Sequence, residues 1–253
     1  MTARIAAALV SGSVALGLVA CTGFYEIPVE TPIQAKIDVS NFQRVLVAGF
    51  VGGGSKTIDT NTETARLLRS QLRSKQELRV IDSDALSLTE EVDKRLGRQP
   101  APPKPGDEPQ VKDEKELAEY ESIFSDTAFW KKIGDEYQGP LIVTGSILFN
   151  EISRSGVVSQ PRSTIGPDGR EQFQTVRTYS EMKGFAISPK FIFIDGRTGA
   201  QLHTETYHEE SLYPSTQNTP ALSSYFELMD KLLPSFLNTL SSQKIRGSRV
   251  LLK

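Results

Sequence analysis

Arg44-Val45-Leu46-Val47-Ala48-Gly49-Phe50 is the stretch that decides the fold. Successive side chains of a strand point to opposite faces, so a strand with one wet face alternates apolar and polar residues. A nearly continuous apolar run is instead what a strand covered on both faces looks like. This run is therefore expected to be a central strand. Downstream, Thr60 to Lys75 spaces Ala65, Leu68 and Leu72 as a helix does, with Thr62, Glu63 and Arg66 elsewhere on the wheel, and Glu77 to Asp82 follows as a short strand. Strand, helix and strand in that order form a βαβ unit.

The pattern continues outward. Ile33 to Val39 alternates loosely. Lys115 to Glu136 reads as one helix with Leu117, Tyr120, Phe124, Ala128 and Ile133 as its apolar positions, and Pro140 to Phe149 reads as a second buried strand. Gln172 to Gly184 and Phe185 to Asp195 are extended, and Asp195-Gly196 between two extended runs signals a hairpin into Ala200 to Ser211. A last helix, from about Pro220 to Ser242, offers Leu222, Phe226, Met229, Leu233 and Leu237 as its stripe, with Pro234 expected to kink it. Residues 150–184 are polar and turn at Pro167-Asp168-Gly169, so they should project as a hairpin arm. Neither alternating set of Phe173 to Lys183 is apolar, because Gln174, Arg177, Glu181 and Lys183 interrupt both, and a water-exposed arm follows. The expected fold is α/β: a single domain with a mixed β-sheet packed by helices and a protruding polar β-hairpin.

The N-terminus reads differently. Arg4, the apolar run Ile5 to Val10 and the run Val14 to Ala20 make residues 1–20 a signal peptide. Ser11, Gly12 and Ser13 interrupt the run, against the roughly 20 strongly apolar residues that a membrane-spanning helix needs. Leu18-Val19-Ala20-Cys21 resembles the lipobox read by lipoprotein signal peptidase, and Cys21 is the only cysteine of the chain, which removes every intramolecular disulfide. Cys21 is thus the expected lipidation site, with acyl chains as the membrane contact. An aspartate after that cysteine commonly signals inner-membrane retention. Thr22 stands there, so the resemblance implies an outer-membrane anchor facing the periplasm. Residues 21–32, with two prolines and no period, read as a lipidated tether, and residues 33–253 as the α/β domain. Within that domain residues 97–110 carry five prolines and read as an extended loop.

Without Arg4 the mature chain has 28 basic and 31 acidic residues, a balance that predicts neither nucleic acid nor a polyanionic surface as partner. Chemical motifs are thin. Gly49 to Thr57 lies between a strand and a helix, but Ser55 separates Gly54 from Lys56, and a phosphate loop needs its last glycine directly before the lysine. His203 and His208, the only histidines, lie five residues apart in an extended segment and so point to opposite faces of a regular strand. One metal could not easily take both, although His203 could share a face with Glu205 and His208 with Glu210. No Gly-x-Ser-x-Gly elbow occurs. No cofactor, metal or catalytic residue is expected, and the chain reads as a non-enzyme. The acidic stretch Asp113 to Glu121 reads as a solvated face. Phe129 and Trp130 either anchor their helix to the sheet or form an exposed aromatic pair for a partner.

The segments Arg44 to Phe50, Leu78 to Asp82, Gly139 to Ile147 and Lys190 to Gly199, with Val143-Thr144-Gly145-Ser146 and Asp195-Gly196-Arg197-Thr198-Gly199 at their expected order, resemble the lipoprotein domain of the curli secretion channel family and of the penicillin-binding-protein activator lipoproteins. They are similar also to the N-terminal domain of the Tol translocation protein. The resemblance spans about residues 40–242 and carries no catalytic residue across. It implies a periplasmic module that works by contacts with an envelope protein, as an adaptor or assembly factor in envelope biogenesis or export, or as a homo-oligomeric secretion channel subunit. The polar arm departs from the channel family's membrane-crossing hairpins, and the short tether departs from the activators. Replacing Cys21 with Ser is expected to abolish incorporation of labelled palmitate and to move the chain from the detergent to the aqueous phase of a phase-partition assay; unchanged incorporation would contradict the lipid assignment.

Overall fold

The structure, a computed structural model, describes residues 24–252 except 56, 75–77, 99–110, 166 and 168. The signal peptide, Cys21 and residues 99–110 of the proline-rich loop lie outside the described residues. The chain divides into two units, an α/β unit over residues 36–241 and a smaller one made from the segments on either side of it.

The α/β unit is built on the strand that the apolar run predicts. Strand β2 (Arg44–Gly53) pairs in parallel with the two-residue β3 (Arg79–Val80) on one side and with β4 (Leu141–Ile165) on the other. Strand β5 (Glu171–Asp195) runs antiparallel to β4, and β6 (Gln201–Thr206) and β7 (Glu209–Pro214) both pair with β5. The sheet is mixed, in the order β3-β2-β4-β5-β6. Alternate residues of β2 serve two cores. Val45 and Val47 join the helices α1 (Thr60–Arg73) and α5 (Ala221–Leu240) on one face, while Leu46 and Ala48 join α2 (Leu88–Arg95), α3 (Glu114–Tyr120) and α4 (Thr127–Glu136) on the other.

One extra residue in β2, between Val47 and Gly49, shifts its register against β4. A one-residue slip reverses which face each later side chain meets, and Phe50 accordingly joins the α1–α5 core while Val51 joins the other. Gly49 sits at the bulge with φ 148°, and a Cβ there would lie 2.4 Å from the Leu86 carbonyl oxygen. The Asn61 side chain ties the bulge down, accepting from the Phe50 amide at 2.7 Å and donating to the Leu86 carbonyl at 3.1 Å.

Three expectations about the helices and the terminal segments differ from the structure. The single helix over 115–136 is two helices joined by a 3-10 turn (Glu121–Ser125), because Asp126 accepts from the Phe129 amide at 3.0 Å and so caps a new helix; Ala128 is exposed and Trp130 takes the core position. The stripe of α5 is rotated by one residue. Its buried apolar positions are Tyr225, Leu228, Met229, Leu232, Leu233, Phe236 and Leu240, while Leu222 is exposed, and the helix continues through Pro234.

The third difference concerns the ends. The tether expected over 21–32 contains a strand, β1 (Phe24–Ile33), which pairs antiparallel with β8 (Gln243–Leu252) from Phe24↔Leu252 to Ile33↔Gln243. Residues 33–35 and 242–253 therefore do not belong to the α/β unit. Pro28 and Pro32 were the reason to expect no strand, yet a two-stranded ribbon leaves one edge of each strand open, and an edge strand tolerates a residue without an N–H.

The α1–α5 contact contains a buried polar pair. Thr64 Oγ1 donates to the Thr60 carbonyl at 2.6 Å, so the Tyr225 phenol must donate to Thr64 Oγ1, and burial pushes that phenol far above its usual range of ionisation. Thr64→Val orphans the Tyr225 hydroxyl and should cost about 1–3 kcal/mol. Adding Tyr225→Phe should recover much of that loss; urea unfolding with strictly additive losses would contradict the assignment.

A candidate interaction surface on the hairpin arm

Strands β4 and β5 stay paired without a register shift over all 25 residues of each, from Leu141↔Asp195 to Ile165↔Glu171. Their flanking strands stop earlier: β2 accompanies β4 only to Leu148, and β7 accompanies β5 from Ile187 only to Met182. From Gly156↔Ser180 to Ile165↔Glu171 no further strand pairs with these two among the described residues. At ~3.3 Å per residue this arm is about 33 Å long. It confirms the predicted hairpin.

Its surface is not uniformly polar. Residues directly opposite in an antiparallel pair share a face. The register therefore places Val157 with Tyr179, Pro161 with Thr175, Ser163 with Phe173, and Ile165 with Glu171 on one face, with Gly156, Arg162, Gln174 and Thr178 on the other. Among the described side chains, the large apolar ones that are exposed on the arm belong to the first face, Val157 at 66%, Ile165 at 77%, Phe173 at 74% and Tyr179 at 67% exposure, while Val176 on the other face is half-buried. That is the face which, farther back along the same two strands, carries Val143, Ile147, Phe149, Ile187, Phe191 and Phe193 into the α1–α5 core. Arg177 and Glu181 also lie on it, so each strand read alone looks polar. Only the pairing of the two strands assembles the stripe.

The aromatic pair does not form a surface. Trp130 is fully buried in the core between the sheet and α2–α4, and its indole N–H donates to the Ile123 carbonyl at 2.9 Å. Phe129 is half-buried, its ring edge-on to Trp130 at 5.0 Å and covered by the Arg95 guanidinium at 4.8 Å. Arg95 also reaches the capping carboxylate of Asp126 at 2.7 Å. These residues brace α2 against α4, which corrects the reading of Trp130 as a partner contact.

The histidines are held apart. His203 lies in β6 and His208 between β6 and β7, so the single strand expected to carry both is interrupted. His203 Nε2 meets Glu205 Oε1 at 2.7 Å on the shared face that the spacing predicts, and Lys36 also donates to Glu205. Burial pushes the Glu205 carboxyl up, but these hydrogen bonds outweigh it and leave the group below its usual range. His208 Nδ1 lies 2.8 Å from Ser188 Oγ, and Glu210 pairs with Arg154 instead. Among the described residues no three of His, Cys, Asp and Glu gather as a metal site.

The glycine-rich turn is occupied by its own fold. The Gly54 amide donates to the Val111 carbonyl at 2.8 Å, Ser55 Oγ accepts from the Thr57 and Ile58 amides, and Asp59 caps α1 by accepting from the Thr62 amide at 3.1 Å. A carboxylate thus stands where a helix N-terminus would otherwise attract a phosphate. The Asp195 to Gly199 turn is structural as well. A Cβ on Gly134 would lie 1.7 Å from the Gly196 oxygen, and one on Gly199 would lie 2.0 Å from the Thr127 oxygen, so the turn packs directly on α4. The Arg197 guanidinium lies against both Asp195 carboxylate oxygens at 3.0 and 2.9 Å and stacks 4.8 Å from the Phe42 ring centroid.

No protein-family model matches the chain, and no curated protein matches it. Among solved structures, the crystal structure of lipoprotein GNA1162 from Neisseria meningitidis is similar at a TM-score of 0.34 and 12% sequence identity, over 79% of this chain and 99% of that one. A score below 0.5 gives no ground for a shared fold. None of these comparisons supports the specific resemblance to the curli channel and activator lipoproteins.

The Arg197 hydrogen bonds hold the Asp195 carboxyl below its usual range, despite partial burial. A depressed folded-state value contributes stability that is complete above the unfolded value, near pH 3.9, and is lost as pH falls through the folded value. Wild type should therefore lose stability below about pH 4, and Asp195→Asn should be less stable at neutral pH with a flatter acid limb in unfolding curves. Parallel acid limbs would contradict this.

Proposed function

We propose that this chain is a lipid-anchored, non-enzymatic protein of the bacterial outer membrane, facing the periplasm, that acts through protein contacts as an adaptor or assembly factor. The apolar face of the β4–β5 arm is its contact surface. The observation that carries the reading is the gathering of Val157, Ile165, Phe173 and Tyr179 on one face of a ribbon whose two outer edges, beyond Glu181, pair with no other strand among the described residues. Exposed large apolar side chains gathered on one face mark contact sites, and an open edge supplies unpaired N–H and C=O groups for an added strand. The anchor rests on Leu18-Val19-Ala20-Cys21 and the membrane assignment on Thr22. The non-enzymatic reading is supported by the engagement of His203, His208, Asp195 and the glycine-rich turn in packing and in intramolecular hydrogen bonds.

The same open edges favour a second reading, in which the occupant of the arm is further copies of the chain and the assembly is a secretion channel. Size in mild detergent separates the two: a monomer fits the adaptor and a closed ring fits the channel. For the contact surface itself, Val157→Thr with Tyr179→Thr, a directly opposed pair without like charges, should change stability by no more than about 1 kcal/mol, while abolishing co-purification of the partner. Undiminished co-purification would contradict the role of this face.

A further inference from the structure

We propose that the free end of the β1–β8 ribbon, Phe24 to Ile27 against Arg249 to Leu252, sits in the headgroup layer of the membrane that holds Cys21, resting on the lipidation of Cys21 proposed above. Spacing supports it first. The strand begins three residues after Cys21, and at no more than ~3.6 Å per residue that places the Phe24 backbone within about 11 Å of the Cys21 backbone. The pairing Phe24↔Leu252 brings the end of the last strand to the same place.

The chemistry of that end suits an interface. Its sequence is Phe24-Tyr25-Glu26-Ile27 against Arg249-Val250-Leu251-Leu252, and aromatic residues with basic ones are the types enriched where a bilayer meets water. Ile27 is 44% and Val250 58% exposed. Ile27 lies opposite Arg249 and Val250 opposite Glu26, so the two belong to opposite faces of the ribbon. A protein docking on one face would cover one of them, whereas end-on entry into lipid covers both. Charge points the same way. Residues 242–253 hold four basic residues and no acidic one, and residues 24–33 hold Glu26 and Glu30, so the ribbon is net +2. Residues 36–241 hold 24 basic and 29 acidic residues, net −5. The positive segment is therefore the one beside the lipid, where anionic headgroups attract it.

The test uses the full-length protein purified with its lipid and reconstituted in vesicles of phosphatidylethanolamine and phosphatidylglycerol. An environment-sensitive fluorophore is placed at Val250→Cys or, at the far end of the ribbon, at Ile33→Cys; the acylated Cys21 sulfur does not react with the label. Spin-labelled lipids should quench the fluorophore at position 250 several-fold more than the one at position 33. Equal quenching on protein whose intact mass includes acyl chains would overturn the membrane seat and leave the anchor standing. A mass without acyl chains would overturn both.

Discussion

The rest of the structure depends on the unbroken backbone ladder between β4 and β5. Its first ten or so pairs lie inside the α/β sandwich, where helices cover both faces and water is absent, so every amide there must find its partner in the sheet. The remaining pairs carry the same hydrogen bonds out into solvent. A two-stranded ribbon alone is marginal in water. This one is held at its root by buried Phe149 and Ile187 and by β7, so the body supplies the register that the arm alone would lack.

That continuity links folding to function. Because no register shift occurs along β4 and β5, the residue parity that puts Val143 and Phe191 into the core also puts Val157, Tyr179, Phe173 and Ile165 on one face of the arm. The register shifts of the sheet lie elsewhere: one in β2, where Gly49 and Asn61 stabilise it and where it turns Phe50 into the core, and one where β6 pairs with β5 between Phe193 and Ile194. A similar slip in the arm would scatter the apolar residues over both faces. The fold thus keeps the long exposed pair regular.

Much of the body was legible in the residues, because burial leaves a periodic imprint. Arg44 to Phe50, the α1 stripe, the Pro140 to Phe149 strand and the Asp195-Gly196 hairpin all stand where their patterns place them. The break between α3 and α4 was signalled by Asp126, a capping residue inside an apolar period, which the period concealed. The α5 stripe slipped by one residue because Tyr225, a polar-tipped side chain, occupies a core position through its bond to Thr64. The pairing of β1 with β8 left no local trace at all, since it joins segments more than 200 residues apart. The apolar face of the arm escaped for the same reason: it is a property of two strands in register, and Arg177 and Glu181 mask it in either strand alone.

The central claim is that one face of the arm is a contact surface, and site-specific photocrosslinking in living cells tests it most directly. A photoreactive residue placed in turn at positions 157, 173 and 179 should capture a partner or a second copy, whereas the same residue at positions 162, 174 and 178, on the opposite face, should not. Equal capture from both faces, or none from either, would contradict the account.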